Sequence, residues 1–448
     1  MKKNRILEDD NIKRLLFKLS LPATVGMIVM ALYNVVDTIF IGRGVGAIAI
    51  GGLAIVFPLQ MLIMAVNQMF GIGSASIISR SLGAKNYNKA KLTFSNVYII
   101  AFIISISFVT IGYLFTDSIL KLFGATENIL PYAKDYFRVI ILGTFFFSFD
   151  MISNNIIRSE GFAKVAMFSM FTGAILNIIL DPIFIFVFKM GIKGAAIATV
   201  LSQFFMLVYI FFFFLKGKSM LHISDITLKI NLRIIKEIIS VGSASFFRMI
   251  MGSILVVIVN NSLKIYGGDL AIAAYGIINR LIRFIFMPLF GIAQGLQPVL
   301  GYNYGAKRYK KAKESVLIAM KNATFITTLG FALIMLFSQK FISIFTNDKE
   351  LIVLGGYALK YTVLAIPVVG FQVIVSTLFQ AIGKPFPALI LTLTRQLLFL
   401  VPLIIFLPKF FGLNGIWFSS PISDFLSSLL SFYFLFLLYK NFKNKIDV

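Results

Sequence analysis

The stretch Ala174–Phe186, AILNIILDPIFIF, sets an amide, a carboxylate and a proline inside an otherwise apolar run. A carboxylate placed in hydrocarbon costs roughly 2.5–3.5 kcal/mol on insertion scales, so it needs a partner or a function. Asn177 and Asp181 are four residues apart and therefore share one face of a helix. Pro182 has no N–H to give, so it disturbs the helical ladder and frees carbonyl groups nearby. The run is one of many in the chain that are long and apolar enough to cross a bilayer.

Composition places the whole chain in that class. The 448 residues are 59% hydrophobic and 13% charged, against about 25% charged for a typical soluble domain. The mean hydropathy is +0.92. Twelve apolar spans are predicted, at roughly 15–41, 48–79, 92–116, 130–157, 164–188, 192–215, 238–263, 270–302, 317–339, 352–381, 386–408 and 414–438. A bilayer core takes about 20 helical residues, so the longer spans must tilt, bend or project into water. The expected fold is an all-α integral membrane protein with two pseudo-symmetric bundles of six transmembrane helices.

The side-chain inventory excludes most enzyme chemistry. Cysteine is absent and His222 is the one histidine. Disulfides, thiolate or histidine-cluster metal sites and a serine–histidine pair within the spans are thereby removed. The reading is of a non-enzyme without a cofactor. The net charge of +24 would suit nucleic acid, but the Lys and Arg residues sit at the ends of apolar runs, where topology signals belong. No nucleic-acid partner is expected. With the N-terminus in the cytoplasm, the cytoplasmic loops hold 27 of the 42 Lys and Arg residues and the opposite side 11. Both termini are therefore expected to be cytoplasmic, in a multi-pass protein of the cell membrane. The opening MKKNRILEDDNIKRLLFKLS reads as an amphipathic lead-in rather than a cleaved signal.

The chain also repeats itself. GAKNYNKAK at Gly83–Lys91 recurs as GAKRYKKAK at Gly305–Lys313. RSEGFAKVA aligns Gly161 with Gly383, and GIKG at Gly191–Gly194 aligns with GLNG at Gly412–Gly415. Three anchors in order at nearly one spacing indicate duplication. The predicted organisation is a bundle over 1–215, a basic, partly amphipathic cytoplasmic linker over 216–237 lying along the membrane surface, and a second bundle over 238–448. Paired six-span repeats predict a transporter with its site near the bilayer midplane.

Three acids lie deep in the first half: Asp37 in YNVVDTIFIG, Asp150 in FSFDMISNNII, and Asp181. The second half offers only Asp424 at comparable depth; Asp181 falls on Leu403 across the repeat. Thr199 is mid-span in the helix after Asn177 and Asp181, and the short loop between those helices makes them antiparallel neighbours. Asp37 is mid-span in the first helix, which also carries Pro22. Two carboxylates, an amide and a hydroxyl form an all-oxygen set able to hold Na⁺ or share a proton.

With those residues in view, the chain resembles the multidrug and toxic compound extrusion (MATE) family, in its bacterial branch. The resemblance runs over the twelve spans, the two GAK loops and the opening LSLPATVGMIVMALYNVVDTIFIGRGVGAIAIGG. It implies cation-coupled efflux of organic, often cationic, compounds in exchange for Na⁺ or H⁺ by alternating access. It also implies a cation site of Asp37, Asn177, Asp181 and Thr199, holding sodium if the coupling ion is Na⁺, and a hinge at Pro22. Acids that some members carry in the seventh and tenth helices are missing here, and Arg248 stands in the seventh. Asp150, Asn154, Gln203 and Arg248 are candidates for a supporting shell or cavity lining. Arg248, Arg280, Arg283 and Arg395 could line a cavity, pair with Asp424, or snorkel.

Met61, Met64, Met69 and Phe290 could line a soft cavity, and FGIG at Phe70–Gly73 suits close backbone packing. The expected partners are small organic substrates and the surrounding lipid, with the protein a monomer. The alternative is a flippase for lipid-linked precursors in the same superfamily. An intramembrane aspartyl protease lacks its surrounding signature, and fast permeation through a channel suits tight oxygen sites poorly.

Overall fold

The computed structural model describes residues 6–446 and contains helices and turns but no strand among them. In chain order the α-helices are α1 (Ile12–Gly44), α2 (Ala47–Gly83), α3 (Tyr87–Leu114), α4 (Thr116–Leu122), α5 (Leu130–Ser159), α6 (Ala163–Pro182), α7 (Gly191–Lys216), α8 (Leu232–Tyr266), α9 (Gly268–Gly305), α10 (Tyr309–Ser343), α11 (Lys349–Thr362), α12 (Ile366–Ala381), α13 (Pro385–Leu393), α14 (Val401–Phe411) and α15 (Leu413–Ile446). π-Helical turns follow α6 at Ile183–Val187 and join α13 to α14 at Thr394–Leu400.

Among the described residues, eleven segments are each long and apolar enough to cross a membrane. The twelfth is the pair α11–α12, bent by 49° at its break. That break falls before Ile366–Pro367, where proline is tolerated because a helix's first N–H groups have no internal partner. α3 shows why these helices belong in lipid. Phe102, Ile103, Ile106 and Ile111 are exposed on it, an apolar face that water would not support at this extent.

The chain folds as two compact units. Among the described residues, the first comprises residues 6–9 together with Val25–Phe246; the second comprises Asp10–Thr24 and residues 247–446. α1 therefore gives its early turns to the second unit and the rest to the first, and the changeover follows Pro22. α8 does the converse, changing membership between Phe246 and Phe247. The duplication is visible in the backbone. Left-handed residues recur 222 positions apart at Gly46 and Gly268, Lys85 and Lys307, and Gly161 and Gly383.

The first unit is centred on α5. About 67% of its apolar window is buried, against 39% or less for the other single-helix spans. Its Tyr136, Phe137, Ile140 and Ile141 pack with Val56 of α2 and Ile41 of α1. In the second unit Leu263, Ile278, Ile342, Leu359 and Trp417 form the corresponding core.

The segment between α7 and α8 is tied down to the first unit. Ser95 of α3 donates to the Thr227 carbonyl at 2.6 Å, and the Asn231 N–H donates to Asn96 Oδ1 at 2.7 Å. Lys91 pairs with Asp225 at 2.7 Å. At the start of α8, Glu237 pairs with Arg80 at 3.1 Å and with Lys89 at 2.8 Å. Glu160, in the turn after α5, is fully buried and accepts from Ser219 Oγ at 2.6 Å and the Met220 N–H at 2.8 Å. Burial pushes its carboxyl up to about 7, with those donors opposing the shift.

Candidate functional site

The four oxygen-bearing residues of the first half come from three helices of the first unit. α6 brings Asn177 and Asp181 to one face, where Asn177 Nδ2 donates to Asp181 Oδ1 at 3.3 Å. The same amide lies 3.3 Å from Thr199 Oγ1 on α7. The Asp37 carboxyl, on α1, lies next to that of Asp181. Asp181 is completely buried and Asn177 is 2% exposed.

Local structure explains how α1 is held there. Immediately after Asp181 and Pro182 the backbone widens into the π-helical turn Ile183–Val187, a rare geometry that is common near functional sites. That turn carries Ile185 into the core beside Ile41. Phe186 meets Phe40 of α1 edge to face, with centroids 6.3 Å apart. At Gly44 a side chain would collide with Ile185 and Phe186, so the glycine admits the end of α1 against the turn. Proline, turn and glycine together clamp the helix bearing Asp37 onto the helix bearing Asp181.

The electrostatics of the cluster are one-sided. Asp37 Oδ1, Asn177 Oδ1 and Asp181 Oδ2 are buried acceptors without a hydrogen-bond donor. A buried acceptor without a donor costs about 1–3 kcal/mol, and more when it is charged. Two adjacent carboxylates add mutual repulsion. A proton or a cation at this point removes both penalties. Among the described residues no group of three or more His, Asp and Glu side chains forms a metal cluster; this site has two carboxylates, and its other oxygens are neutral.

Asp150 of α5 lies in a distinct polar network. It accepts from Ser169 Oγ of α6 at 3.3 Å, and Asn154 Nδ2 lies 3.5 Å from the same hydroxyl. Tyr98 and Ser153 form a separate bond at 2.5 Å, with Tyr98 within electrostatic range of Asp150, and Asn67 donates to Ser148 at 2.9 Å. Gln203 packs beside Gly143 of α5, one helical turn beyond Thr199. Pro22 is buried within an uninterrupted α1. Gly73 of the FGIG stretch is a packing residue: a side chain there would land on the Ile238 backbone. Arg395 pairs with Asp424 at 2.7 Å, and Arg248 and Phe290 line a cavity in the second unit.

Two tyrosines escaped the sequence reading. Tyr33 is within electrostatic range of Asp37, Asp181 and Asp150, and Tyr136 of α5 is within range of Asp37 and Asp181. The first had a signal, since Tyr33 precedes Asp37 by four residues and shares its helix face. Tyr136 had none, because only the packing of α5 brings it near.

Known proteins share both halves of this arrangement. The MatE family profile matches twice, over residues 22–183 and 244–406. The multidrug export protein MepA of Staphylococcus aureus (strain NCTC 8325 / PS 47) is 27% identical over 433 residues, covering 96% of this chain and 95% of that protein. Its namesake from Staphylococcus haemolyticus (strain JCSC1435) is 25% identical over 98% of this chain and 96% of its own length. Among solved structures, a MATE protein in the bent conformation superposes with a TM-score of 0.94 at 28% identity, with both chains fully covered. The MATE multidrug transporter DinF-BH gives a TM-score of 0.88 at 42% identity over 96% of each chain. The doubled profile, the twelve spans in two six-helix bundles and the full-length structural matches agree: the chain belongs to the MATE family of membrane transporters.

Proposed function

We propose that this protein is a secondary antiporter of the cell membrane that exports small organic compounds, often cationic, in exchange for Na⁺ or H⁺. Both termini face the cytoplasm in this reading, and the protein works as a monomer. The single observation that carries the coupling scheme is the cluster of three unsatisfied buried oxygens on Asp37, Asn177 and Asp181. Support for the substrate class comes from the MepA relatives, which are named as multidrug export proteins.

The cycle follows from charge. With the site empty, two carboxylates lie side by side in a medium that stabilises neither. A cation arriving from outside loads Asp37 and Asp181, with Asn177 and Thr199 completing an oxygen set for Na⁺; a proton needs only the carboxyl pair. One charge moving down a 100 mV potential releases about 2.3 kcal/mol. Neutralising the pair removes its repulsion and lets α1 bend at Pro22, where the helical ladder already lacks an N–H. The bend reshapes the first unit's interior and expels substrate.

The deciding measurement is efflux of a fluorescent organic cation from proteoliposomes under an imposed Na⁺ gradient and, separately, an imposed pH gradient. At least one gradient should drive export against the substrate gradient. Equal, gradient-independent equilibration under both would reject antiport.

A further inference from the structure

We propose that the second unit carries an anion-binding site centred on Arg248. The occupant is a single monovalent anion: a carboxylate head group of an organic solute, or a halide of similar size. The site is separate from the oxygen cluster of the first unit and does not depend on cation coupling there.

The cavity holds about 50 Å³ and is bordered by Arg248 of α8, Phe286 and Phe290 of α9, Gln372 and Ser376 of α12, and the π-helical turn bearing Arg395 and Gln396. Arg248 Nη2 is buried without a hydrogen-bond partner, as are Ser376 Oγ, Gln372 Oε1 and Gln396 Oε1. Gln372 is 4% exposed and Ser376 8% exposed. Four polar groups without a protein partner around one cavity make a site that a polar ligand would satisfy.

The local charge decides the ligand's sign. Arg395 is neutralised by Asp424, its Nε 2.7 Å from Oδ1. Arg248 is close enough to feel the Arg395 charge and, among the described residues, pairs with no carboxylate of its own. Two guanidiniums and one carboxylate leave one positive charge, so one negative charge balances the site. A guanidinium presents a fork that fits a carboxylate in two bonds. Each glutamine can offer either its carbonyl or its isosteric N–H₂. Phe286 and Phe290 meet edge to face at 6.1 Å, and ring edges carry the positive end of the aromatic quadrupole.

Size narrows the choice further. A cavity of about 50 Å³ exceeds the roughly 10–15 Å³ that seats one water, so it has room for a small anionic group together with water. That suits a carboxylate or a halide, and the single uncompensated charge favours a monovalent anion over a pyrophosphate. The cavity also lies on rigid helix walls, with Arg395 and Gln396 aimed by a π-helical turn, a feature common where a helix face is re-aimed for function.

The test is the thermal unfolding midpoint of the purified full-length protein at constant sodium and ionic strength, so that the first unit's cation load does not vary. The reference salt is sodium HEPES, a sulfonate, so a rise reports binding of the test anion in preference to it. Replacing it with sodium benzoate or sodium chloride at tens of millimolar should raise the midpoint by about 3 °C, by mass action on the folded state. Arg248→Gln should abolish the rise while keeping a cooperative transition in the reference salt, and Arg248→Lys should retain part of it. A rise with benzoate alone identifies an organic carboxylate as the source; an equal rise with chloride identifies a free inorganic anion. No rise with either salt, or an undiminished rise in Arg248→Gln, overturns the site. A larger rise with sodium pyrophosphate overturns the monovalent assignment.

Discussion

At the scale of single residues, charge and hydrogen bonding in the oxygen cluster set the expectations. Asp37→Asn and Asp181→Asn preserve volume while removing a carboxylate. Each should reduce gradient-driven efflux to the level of empty proteoliposomes, with the purified variants remaining monodisperse. Asn177→Ala removes the amide that lies 3.3 Å from both Asp181 Oδ1 and Thr199 Oγ1. A hydrogen bond to a charged group contributes about 1.5–3 kcal/mol, so the cation concentration at half-maximal transport should rise by roughly 10- to 100-fold. An unchanged cation dependence in that variant would remove Asn177 from the site. The pairing of Asn177 with Asp181 was legible from their four-residue spacing. The approach of Asp37 was not, because no local period links residues 144 positions apart.

Whole helices meet at two crossings that obey the repeat. In the first unit, a side chain on Gly242 of α8 would strike the Met69 carbonyl of α2, and one on Gly73 would strike the Ile238 carbonyl. In the second unit, a side chain on Gly295 of α9 would strike Ser20 of α1, its Oγ first and then its backbone. Gly295 lies 222 residues after Gly73, and Gly242 lies 222 after Ser20, so one contact is built twice. Overpacking typically costs about 1–3 kcal/mol. Gly242→Val should therefore lower the unfolding midpoint in detergent by several degrees, whereas Gly252→Val, where no atom stands within contact range, should change it little. The GAK loops and their glycines announced the duplication in the sequence. The partners of these crossings were hidden, since small residues mark close approach without naming what approaches.

For the molecule as a whole, Glu160 is a buried titrating group outside the spans that couples the α7–α8 segment to the first bundle. Its folded carboxyl titrates at about 7, raised by burial from a usual value of 4.5. The folded state then holds a proton that the unfolded chain releases between those values. The stabilising contribution is full below about pH 4.5 and is lost as pH rises toward 7. Glu160→Gln keeps the shape and one of the two accepting oxygens but does not titrate, so it should flatten the fall in unfolding midpoint across that window, read by thermal scans from pH 4.5 to 7.5. An identical pH slope in the variant would assign the dependence elsewhere.

The sequence by itself determined the membrane class, the twelve spans and their duplication, because span length, charge placement and repeat spacing are properties of the chain read in order. It also exposed Asn177 and Asp181 as a pair, since a helix turns every 3.6 residues wherever it sits. Only the tertiary structure decided which oxygens meet, that Tyr136 stands beside them, that Arg248 lacks the carboxylate Arg395 has, and that α1 gives its first turns to the second unit. Those outcomes depend on how rigid helices rotate and press against one another. In lipid that is settled by small-residue crossings, a π-helical turn and buried polar contacts between residues far apart in the chain.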